Sequence, residues 1–341
     1  MPTFCRHNRF IERCPICSKT LPGYSSETAA GRRSGSGGAA RRAPAGERSA
    51  ARRGPRGEGM RVRREGRAEQ DGYSSGLIPG VHASADARRL ADELAFASAR
   101  LRGLAEEPPG LYGELAALAS EDLERATWIA FLLAYLSPTQ EEDPFAGIRL
   151  ALARGSGEEH LEGELPDLTG VPLGPRTSHD PARGSETLVA YRQWVQRSSA
   201  GGGQAAALSG DPSWSPERRF ERTFERLALP GLGRVGRYEL LVTLGALGLF
   251  ELRPGSLRLA GGAGLSAGDA TALAAKRVFA IGDPLLLERR AAALAAAAAL
   301  PIETLDLALA NWAAPERATV GFPAEIADHG ALERAGAALG L

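Results

Sequence analysis

Lysine is almost absent from this chain of 341 residues: it occurs only as Lys19 and Lys276, and arginine supplies the other positive charges. Cysteine does not occur after residue 17, which argues against a disulfide framework for the body of the chain. No apolar run reaches the roughly 20 residues that cross a bilayer, and the first 19 residues lack the apolar segment of a signal peptide. We therefore expect a soluble protein of the cytoplasm with no membrane partner. The Arg-, Ala- and Gly-rich composition is typical of a GC-rich genome, and we expect a bacterial source.

The formal net charge of zero conceals a division between the two ends of the chain. Residues 1–72 contain 16 Lys and Arg against 7 Asp and Glu, whereas residues 73–341 contain 25 against 34. A basic segment joined to a mildly acidic body is typical of an arm that binds a polyanion. The charge pattern therefore favours a nucleic-acid partner.

The three cysteines lie close together near the start of the chain, beside a histidine. Cys5, His7, Cys14 and Cys17 supply four ligands of the kind that tetrahedral zinc prefers. A segment this short has little core, so the metal would supply most of its folding energy. We predict a structural zinc-binding motif over residues 1–23.

Residues 24–76 are rich in Gly, Ser, Ala and Arg and contain almost no large apolar side chains. Such a segment cannot offset the entropy lost on ordering, so we predict a disordered basic linker. It is either a plain tether or a non-specific DNA-binding arm, and the two roles are compatible.

From about Ser84 onward the apolar residues recur at helical spacing, which predicts one mainly α domain over residues 77–341. A helix from about Ser120 to Leu136 is apolar nearly all round, so we expect it to be central and buried. Further helices are predicted near Ser185–Arg197, Pro216–Ala228, Val235–Leu249, Ser266–Phe279, Pro284–Ala299 and Ile302–Asn311.

Two segments of this domain are not predicted to be helical. Residues 155–184 contain many Gly and Pro and predict a long irregular loop, where functional residues are often found. Leu252 to Leu259 is predicted as a short β-hairpin.

Residues 229–237, which begin Leu-Pro-Gly-Leu-Gly-Arg, join two predicted helices. Glycines allow close approach of the main chain, and the first amides of the following helix attract a phosphate. This pattern is typical of a helix-hairpin-helix unit that holds a nucleic-acid backbone, although an ordinary corner between two helices is the alternative. The residues predicted to bind the DNA backbone are Leu229, Gly231, Gly233, Arg234, Gly236, Arg237 and Lys276.

Three segments, in order, resemble the helix-hairpin-helix DNA glycosylases, which excise bases from DNA. The buried helix with its polar end, Leu136 to Gln140, is similar to their core helix, and residues 229–237 are similar to their hairpin. Val278 to Leu285 is similar to their strand-like approach to a catalytic aspartate. The resemblance covers about residues 85–320 and implies a helical glycosylase-like fold.

A closer resemblance is to the alpha-glutamyl/putrescinyl thymine pyrophosphorylase group. It is carried by Phe4 to Phe10, Cys14 to Cys17 and Lys276 to Arg290. That group is named for proposed work on hypermodified thymines in phage DNA, and some relatives are linked to defence against phages with modified bases.

The resemblance implies that Asp283 is the catalytic carboxylate, which stabilises positive charge on the sugar and orients a water. An N-cap for the helix that begins at Pro284 is the alternative.

The sequence departs from the glycosylase pattern, since Asp283 follows the turn at residues 229–237 at a longer distance in sequence than in the glycosylases. No lysine stands in the hairpin, so strand-cleaving lyase chemistry is not expected, and the four cysteines of an iron–sulfur cluster are missing.

A base extruded from DNA needs a pocket with groups that recognise it. The candidates are Tyr135, Gln140, Asp143, Arg176, His179 and Asp180. Each has an ordinary alternative, which is a core position for the tyrosine and exposed loop positions for the others.

These features lead us to predict a monofunctional DNA glycosylase that excises a bulky modified pyrimidine, such as a glycosylated one, in defence against phages. A transferase is the alternative: it would displace pyrophosphate from an activated hydroxymethyl base and bind an acceptor amine in its pocket. The third hypothesis is a DNA-binding module without catalysis.

Overall fold

Helices account for all the regular structure in the part of the chain that the computed structural model describes, which is residues 68–155, 161, 163–198, 203–259 and 269–341. These residues contain no strand, so the mainly α class is confirmed for them. The helices are α1 (Ser84–Glu106), α2 (Leu111–Leu118), α3 (Leu123–Leu136), α4 (Ala146–Arg154), α5 (Glu186–Ser198), α6 (Gly203–Ser209), α7 (Pro216–Arg226), α8 (Arg234–Ala246), α9 (Ala270–Phe279), α10 (Pro284–Ala297), α11 (Thr304–Ala313) and α12 (His329–Leu339).

Helix α3 is the central helix of this domain, as the sequence predicts. Asp122 caps its first turn by accepting a hydrogen bond of 2.9 Å from the Arg125 amide. Every residue from Ala126 to Leu136 is buried, and α2, α4, α6 and α8 pack around the helix. Ser137 adopts a φ of 60°, which ends α3 before the proline that follows.

A layer of stacked aromatic rings joins α3 to α5. The rings of Phe131 and Tyr191 stack with their centroids 3.9 Å apart, and Tyr191 also stacks on Trp128 and Trp194. These side chains lie in the core and are not available to stack on a base.

Helices α1, α11 and α12 form the other main packing group, and α9 packs against α11. Helix α8 contacts both α3 and α1, and a buried ion pair between Arg100 and Glu239 lies between α1 and α8. Helix α8, which follows the turn at residues 229–233, is therefore packed against both groups of helices, the one around α3 and the one that contains α1.

Two predictions of extended structure are wrong: the short β-hairpin from Leu252 to Leu259, and the strand-like segment that leads to Asp283. Residues 250–259 form irregular structure, in which the amides of Leu257 and Leu259 donate to the carboxylate of Glu288 instead of to a second strand. Helix α9 continues to Phe279, so the chain approaches Asp283 from a helix.

Structure begins before the predicted domain boundary at residue 77. Asp71 accepts hydrogen bonds of 3.1 Å from the Ser84 amide at the start of α1, and the Tyr73 hydroxyl donates to the Leu339 carbonyl at 2.6 Å. Gly80 lies so close to α9 that a Cβ there would stand 1.8 Å from the Arg277 carbonyl oxygen. The predicted zinc motif and residues 24–67 of the predicted linker lie outside the described residues.

Candidate functional site

The turn between α7 and α8 is tight, as its glycines predict. The Leu229 amide donates to the Leu227 carbonyl at 2.7 Å, and the Leu232 amide donates to the Leu229 carbonyl at 3.1 Å. Gly231 has a φ of +76°, and a Cβ there would stand 2.0 Å from the Thr187 hydroxyl oxygen. Both the backbone conformation and the contact with α5 require glycine at this position.

Helix α8 begins in an open position at the end of this turn. Gly233 is exposed, serves as the N-cap without a side chain, and has open space where a Cβ would lie. The amides of Arg234, Val235 and Gly236 have no helical acceptor, so this end of α8 is electropositive. Gly236 faces a neighbouring loop, since its Cβ would stand 2.4 Å from the Ser178 hydroxyl oxygen.

A cleft of about 320 Å³ opens beside this helix start. Its walls are the turn from Gly231 to Val235, the loop from Pro175 to Ser178, the N-terminal end of α9, the C-terminal end of α11 and part of the segment from Ala314 to Ala318. This arrangement places an open helix N-terminus and several polar side chains around one concavity. A pocket of this kind is the ordinary setting of a binding or catalytic site.

Four charged residues, each largely buried, form a chain in the wall of the cleft, where three of them line the cleft and Asp306 does not. Arg176 Nη2 lies 2.5 Å from Asp306 Oδ2, and Arg234 Nη2 lies 2.8 Å from Asp306 Oδ1. The Arg234 guanidinium group also pairs with Asp269, with Nη2 3.2 Å from Oδ1 and Nε bonded to Oδ2. The two positive and two negative charges cancel.

Burial and charge act in opposite directions on the members of this chain. Burial opposes ionisation of Asp306, but Arg234 and Arg176 outweigh it and hold the pKa of this carboxyl below its ordinary value. Burial likewise opposes the charge on Arg234, but Asp306 and Asp269 outweigh it and raise the pKa of the guanidinium group. Asp306 and Arg234 therefore stay charged near neutral pH.

Glu316 is the unpaired acid of the cleft wall. It is exposed and makes no hydrogen bond or ion pair with any residue that the structure describes. The segment that carries it is held by Asn311, which donates to the Ala318 carbonyl at 3.3 Å and accepts from the Ala318 amide at 3.0 Å. A free carboxylate is thus placed over a wall whose other charges are neutralised.

Asp283, the predicted catalytic residue, lies outside the cleft lining. It is exposed and caps α10 by accepting a hydrogen bond of 3.0 Å from the Leu286 amide. Asp269 precedes α9 and Asp283 follows it, and ten helical residues, about 15 Å, separate the two ends. Asp269 is therefore the aspartate beside the turn, and the catalytic role of Asp283 stays a prediction.

The two arginines predicted to hold a DNA backbone point into the protein. Besides Arg234, Arg237 is buried, with its guanidinium group 4.3 Å from the centre of the Phe224 ring and Nη1 3.0 Å from the Phe224 carbonyl oxygen. Burial, helped by Arg234 and Arg258, lowers the pKa of Arg237. Lys276 is half-buried on α9 and does not line the cleft. The main-chain amides of α8, rather than these side chains, face the open space.

Tyr135 and His179, two of the predicted base-pocket residues, are buried together behind the cleft. The Tyr135 hydroxyl lies 2.9 Å from His179 Nδ1, and burial lowers the pKa of the imidazole. The Tyr135 carbonyl accepts from the Thr177 hydroxyl at 3.0 Å and from the Ser178 amide at 2.9 Å. The end of α3 therefore anchors the loop that forms one wall.

The remaining predicted pocket residues fall into two groups. Arg176 lines the cleft, and Gln140 donates to the Arg317 carbonyl near the wall that carries Glu316. Asp143 pairs with Arg149 at 3.0 Å, and Asp180 accepts from the Ala182 amide at 3.0 Å in a 3-10 turn. Neither aspartate lines the cleft.

The sequence analysis missed Asp269, Asp306 and Glu316. A signal for Asp269 was present, because an aspartate before a helix is a common N-cap and this one is nearer the turn in sequence than Asp283. No local pattern reveals Asp306, whose partners come from distant parts of the chain.

The described residues contain no group of three or more His, Cys, Asp or Glu that could hold a metal ion. Within those same parts of the chain, no helix is long and apolar enough to span a membrane.

Comparison with known proteins gives a match to a protein family. The chain is similar to the alpha-glutamyl/putrescinyl thymine pyrophosphorylase clade 3 family over residues 176–321. No curated protein and no solved structure matches it. The matched segment begins at Arg176 and contains every lining residue of the cleft except Pro175. The resemblance to that group is confirmed for this segment, and the name of the family points to an enzyme.

Proposed function

We propose that this protein is a transferase that completes the modification of a thymine-derived base in DNA. In this reaction an amine displaces pyrophosphate from the activated 5-methylene group of the base. The family match supports a thymine-modifying enzyme, and it covers nearly all of the cleft wall. The cleft supplies the geometry from which we assign roles.

DNA binding is assigned to the turn and the start of α8. The exposed Gly233 and the free amides that follow it form a position for a backbone phosphate. With the strand held there, the target nucleotide is extruded into the adjacent cleft. Such a grip reads no sequence, which suits an enzyme that recognises a modified base.

Glu316 is assigned to the acceptor amine. The amine nitrogen attacks the methylene carbon on C5 of the pyrimidine, a C–N bond forms, and the C–O bond to pyrophosphate breaks. The nitrogen loses one proton, which the free carboxylate of Glu316 accepts. Arg176, on the facing loop, also lines the cleft, but its charge is balanced by Asp306, so its role toward the leaving pyrophosphate is limited to hydrogen bonding.

The family match favours transfer over base excision, because the family is named for thymine pyrophosphorylases. Among the carboxylates near the turn, Asp269 is neutralised by Arg234 and Asp283 lies outside the lining, which leaves Glu316 as the free acid of the cleft. The match over the cleft wall is the observation that carries the proposal. Excision by Asp283 and a role in phage defence stay predictions, as does a non-catalytic DNA-binding module.

The test uses an oligonucleotide that contains 5-(pyrophosphoryloxymethyl)deoxyuridine, with putrescine or glutamate as the amine. We expect pyrophosphate release and a nucleoside whose mass has gained the amine, detected by mass spectrometry after digestion. Free base together with abasic sites would support excision and contradict the proposal. DNA binding without any product from either amine would favour the non-catalytic module.

The N-terminal motif is proposed to bind one structural zinc ion through Cys5, His7, Cys14 and Cys17. Metal analysis of the full chain should find one zinc per molecule. The Cys14→Ser and Cys17→Ser variants should lose it, and zinc retained by both variants contradicts the assignment.

A further inference from the structure

We propose that a small cavity beside the cleft, built around Arg89 and Arg277, holds a second backbone phosphate of the same DNA strand. This inference rests on the proposed action on DNA and adds a contact that the turn before α8 does not provide. The cavity has a volume of about 70 Å³ and lies between the segment that precedes α1, the start of α1, and the ends of α9 and α11.

The two arginines of this cavity are not committed to acidic partners. Both are exposed, and neither forms an ion pair with a carboxylate of the described residues. The Arg277 guanidinium group lies 5.2 Å from the centre of the Trp312 ring, which fixes its plane without neutralising it. Arg89 Nη2 donates to the carbonyls of Asn311, at 3.2 Å, and Ala314, which leaves its other N–H groups available.

The cavity lining carries a net positive charge. Besides the two arginines it contains the exposed His82 and one acid, Asp86, in the first turn of α1. Two guanidinium groups exceed that one carboxylate, and the electropositive start of α1 adds to them. Planar guanidinium groups that converge on a space of this size match the geometry of a phosphate group.

The position of the cavity relative to the cleft identifies the phosphate as part of a DNA strand. Ala313 lines the cavity, whereas the next residue, Ala314, lines the cleft. Both carbonyls that Arg89 contacts belong to residues of the cleft wall, so only the end of α11 separates the two sites. The open start of α8 belongs to the turn wall of the cleft. A strand that places a nucleotide in the cleft can therefore be held by one phosphate at each site.

The test measures binding of the full chain to unmodified, fluorescein-labelled single-stranded and duplex DNA by anisotropy over a series of salt concentrations. We expect Arg277→Gln and Arg89→Gln each to weaken binding about tenfold at low salt. Each substitution should also reduce the slope of log K against log salt by about 1. Arg102→Gln is the matched control, because Arg102 lies near the other end of α1 and pairs with Asp328.

Arg277→Gln carries the test even if Arg89→Gln disturbs α11, since the Arg277 side chain makes no hydrogen bond or ion pair with the described residues that the change would remove. If the wild type binds DNA and both variants bind it with the same affinity and the same salt slope, the cavity assignment is overturned and the proposed function stands. Absence of wild-type binding to DNA would overturn both. If inorganic pyrophosphate binds the wild type but not the double variant, while DNA affinity is unchanged, the cavity serves the leaving group and the DNA assignment is wrong.

Discussion

Arg234 and Asp269 form a buried ion pair that joins the first residue of α8 to the N-cap of α9. The pair fixes the helix start that is assigned to DNA against the helix that carries the opposite wall of the cleft. It also balances the charge of the aspartate that stands nearest the turn. One contact thus shapes the cleft and limits the chemistry of its carboxylates.

Asp306→Asn should destabilise the domain strongly. Asp306 is buried between Arg176 and Arg234, so its loss as an anion leaves positive charge in the core without compensation. We expect a loss of about 3–5 kcal/mol in the free energy of unfolding, measured by urea denaturation. Glu114→Gln removes an exposed ion pair with Arg149 and should cost less than about 1 kcal/mol. Equal losses in both variants would contradict the importance of the buried chain.

The same residue should give the domain an acid-sensitive component of stability. The pKa of Asp306 is below its ordinary value of 3.8 in the folded protein, so folding favours the ionised form. This contribution is fully present above the ordinary pKa and is lost as the pH falls through 3.8 toward the lower folded value. Denaturation between neutral pH and pH 3 should therefore show a shallower acid loss for Asp306→Asn than for the wild type. Parallel curves would show that Asp306 does not contribute.

Asp269→Asn and Asp283→Asn should show which of the two aspartates is needed for turnover and stability. Asparagine caps a helix nearly as well as aspartate, so Asp283→Asn should leave stability and turnover close to wild type. Asp269→Asn breaks the pair with Arg234 and should lower both. Product formation and DNA affinity are measured together. Loss of turnover in Asp283→Asn with DNA binding intact would instead confirm the catalytic role that the sequence predicts.

Glu316→Gln should lower turnover without lowering stability. Its side chain is exposed and makes no hydrogen bond or ion pair within the described residues that the change would remove. Loss of a general base costs about a hundredfold or more in kcat. Glu142→Gln, another exposed acid but outside the cleft lining, is the control, and equal activity of both variants contradicts the role.

Gly231→Ala should be harmful, whereas Gly233→Ala should be tolerated. At Gly231 the new methyl group meets the Thr187 hydroxyl oxygen at 2.0 Å and the φ of +76° is strained, so we expect a loss of about 1–3 kcal/mol. At Gly233 the space is open and no strain arises. Thermal unfolding measures both, and similar melting temperatures would show that the turn rearranges freely.

The sequence predicts well where one local signal determines the result. The apolar run of α3 could only be a buried helix, and the Leu-Pro-Gly-Leu-Gly segment does form a tight turn between two helices. The helical spacing that begins near Ser84 corresponds to α1, and the seven helices predicted with bounds are all present in the structure, with ends that differ by a few residues. Four of the described helices were not predicted. Helices α2, α4 and α6 are only seven to nine residues long, too short for a clear period. Helix α12 has 11 residues, but most of its apolar residues are alanines, which give a weak periodic signal.

The site was less predictable because its residues meet through tertiary contacts. Asp283 and Asp269 both precede a helix, and the sequence does not tell which helix start faces the turn. Arg234 and Arg237 are of the residue type that commonly binds phosphate, but buried carboxylates and carbonyl groups are their partners here. Their burial follows from packing between distant helices, which no spacing rule encodes.

The close approach of Gly80 to the end of α9 limits the insertions and deletions that the chain can accept before α1. A residue with a side chain at this point would displace the main chain from the Arg277 carbonyl oxygen. The approach from residue 68 to the start of α1 is therefore part of the folded body, so lengthening or trimming the chain after residue 68 should loosen α9.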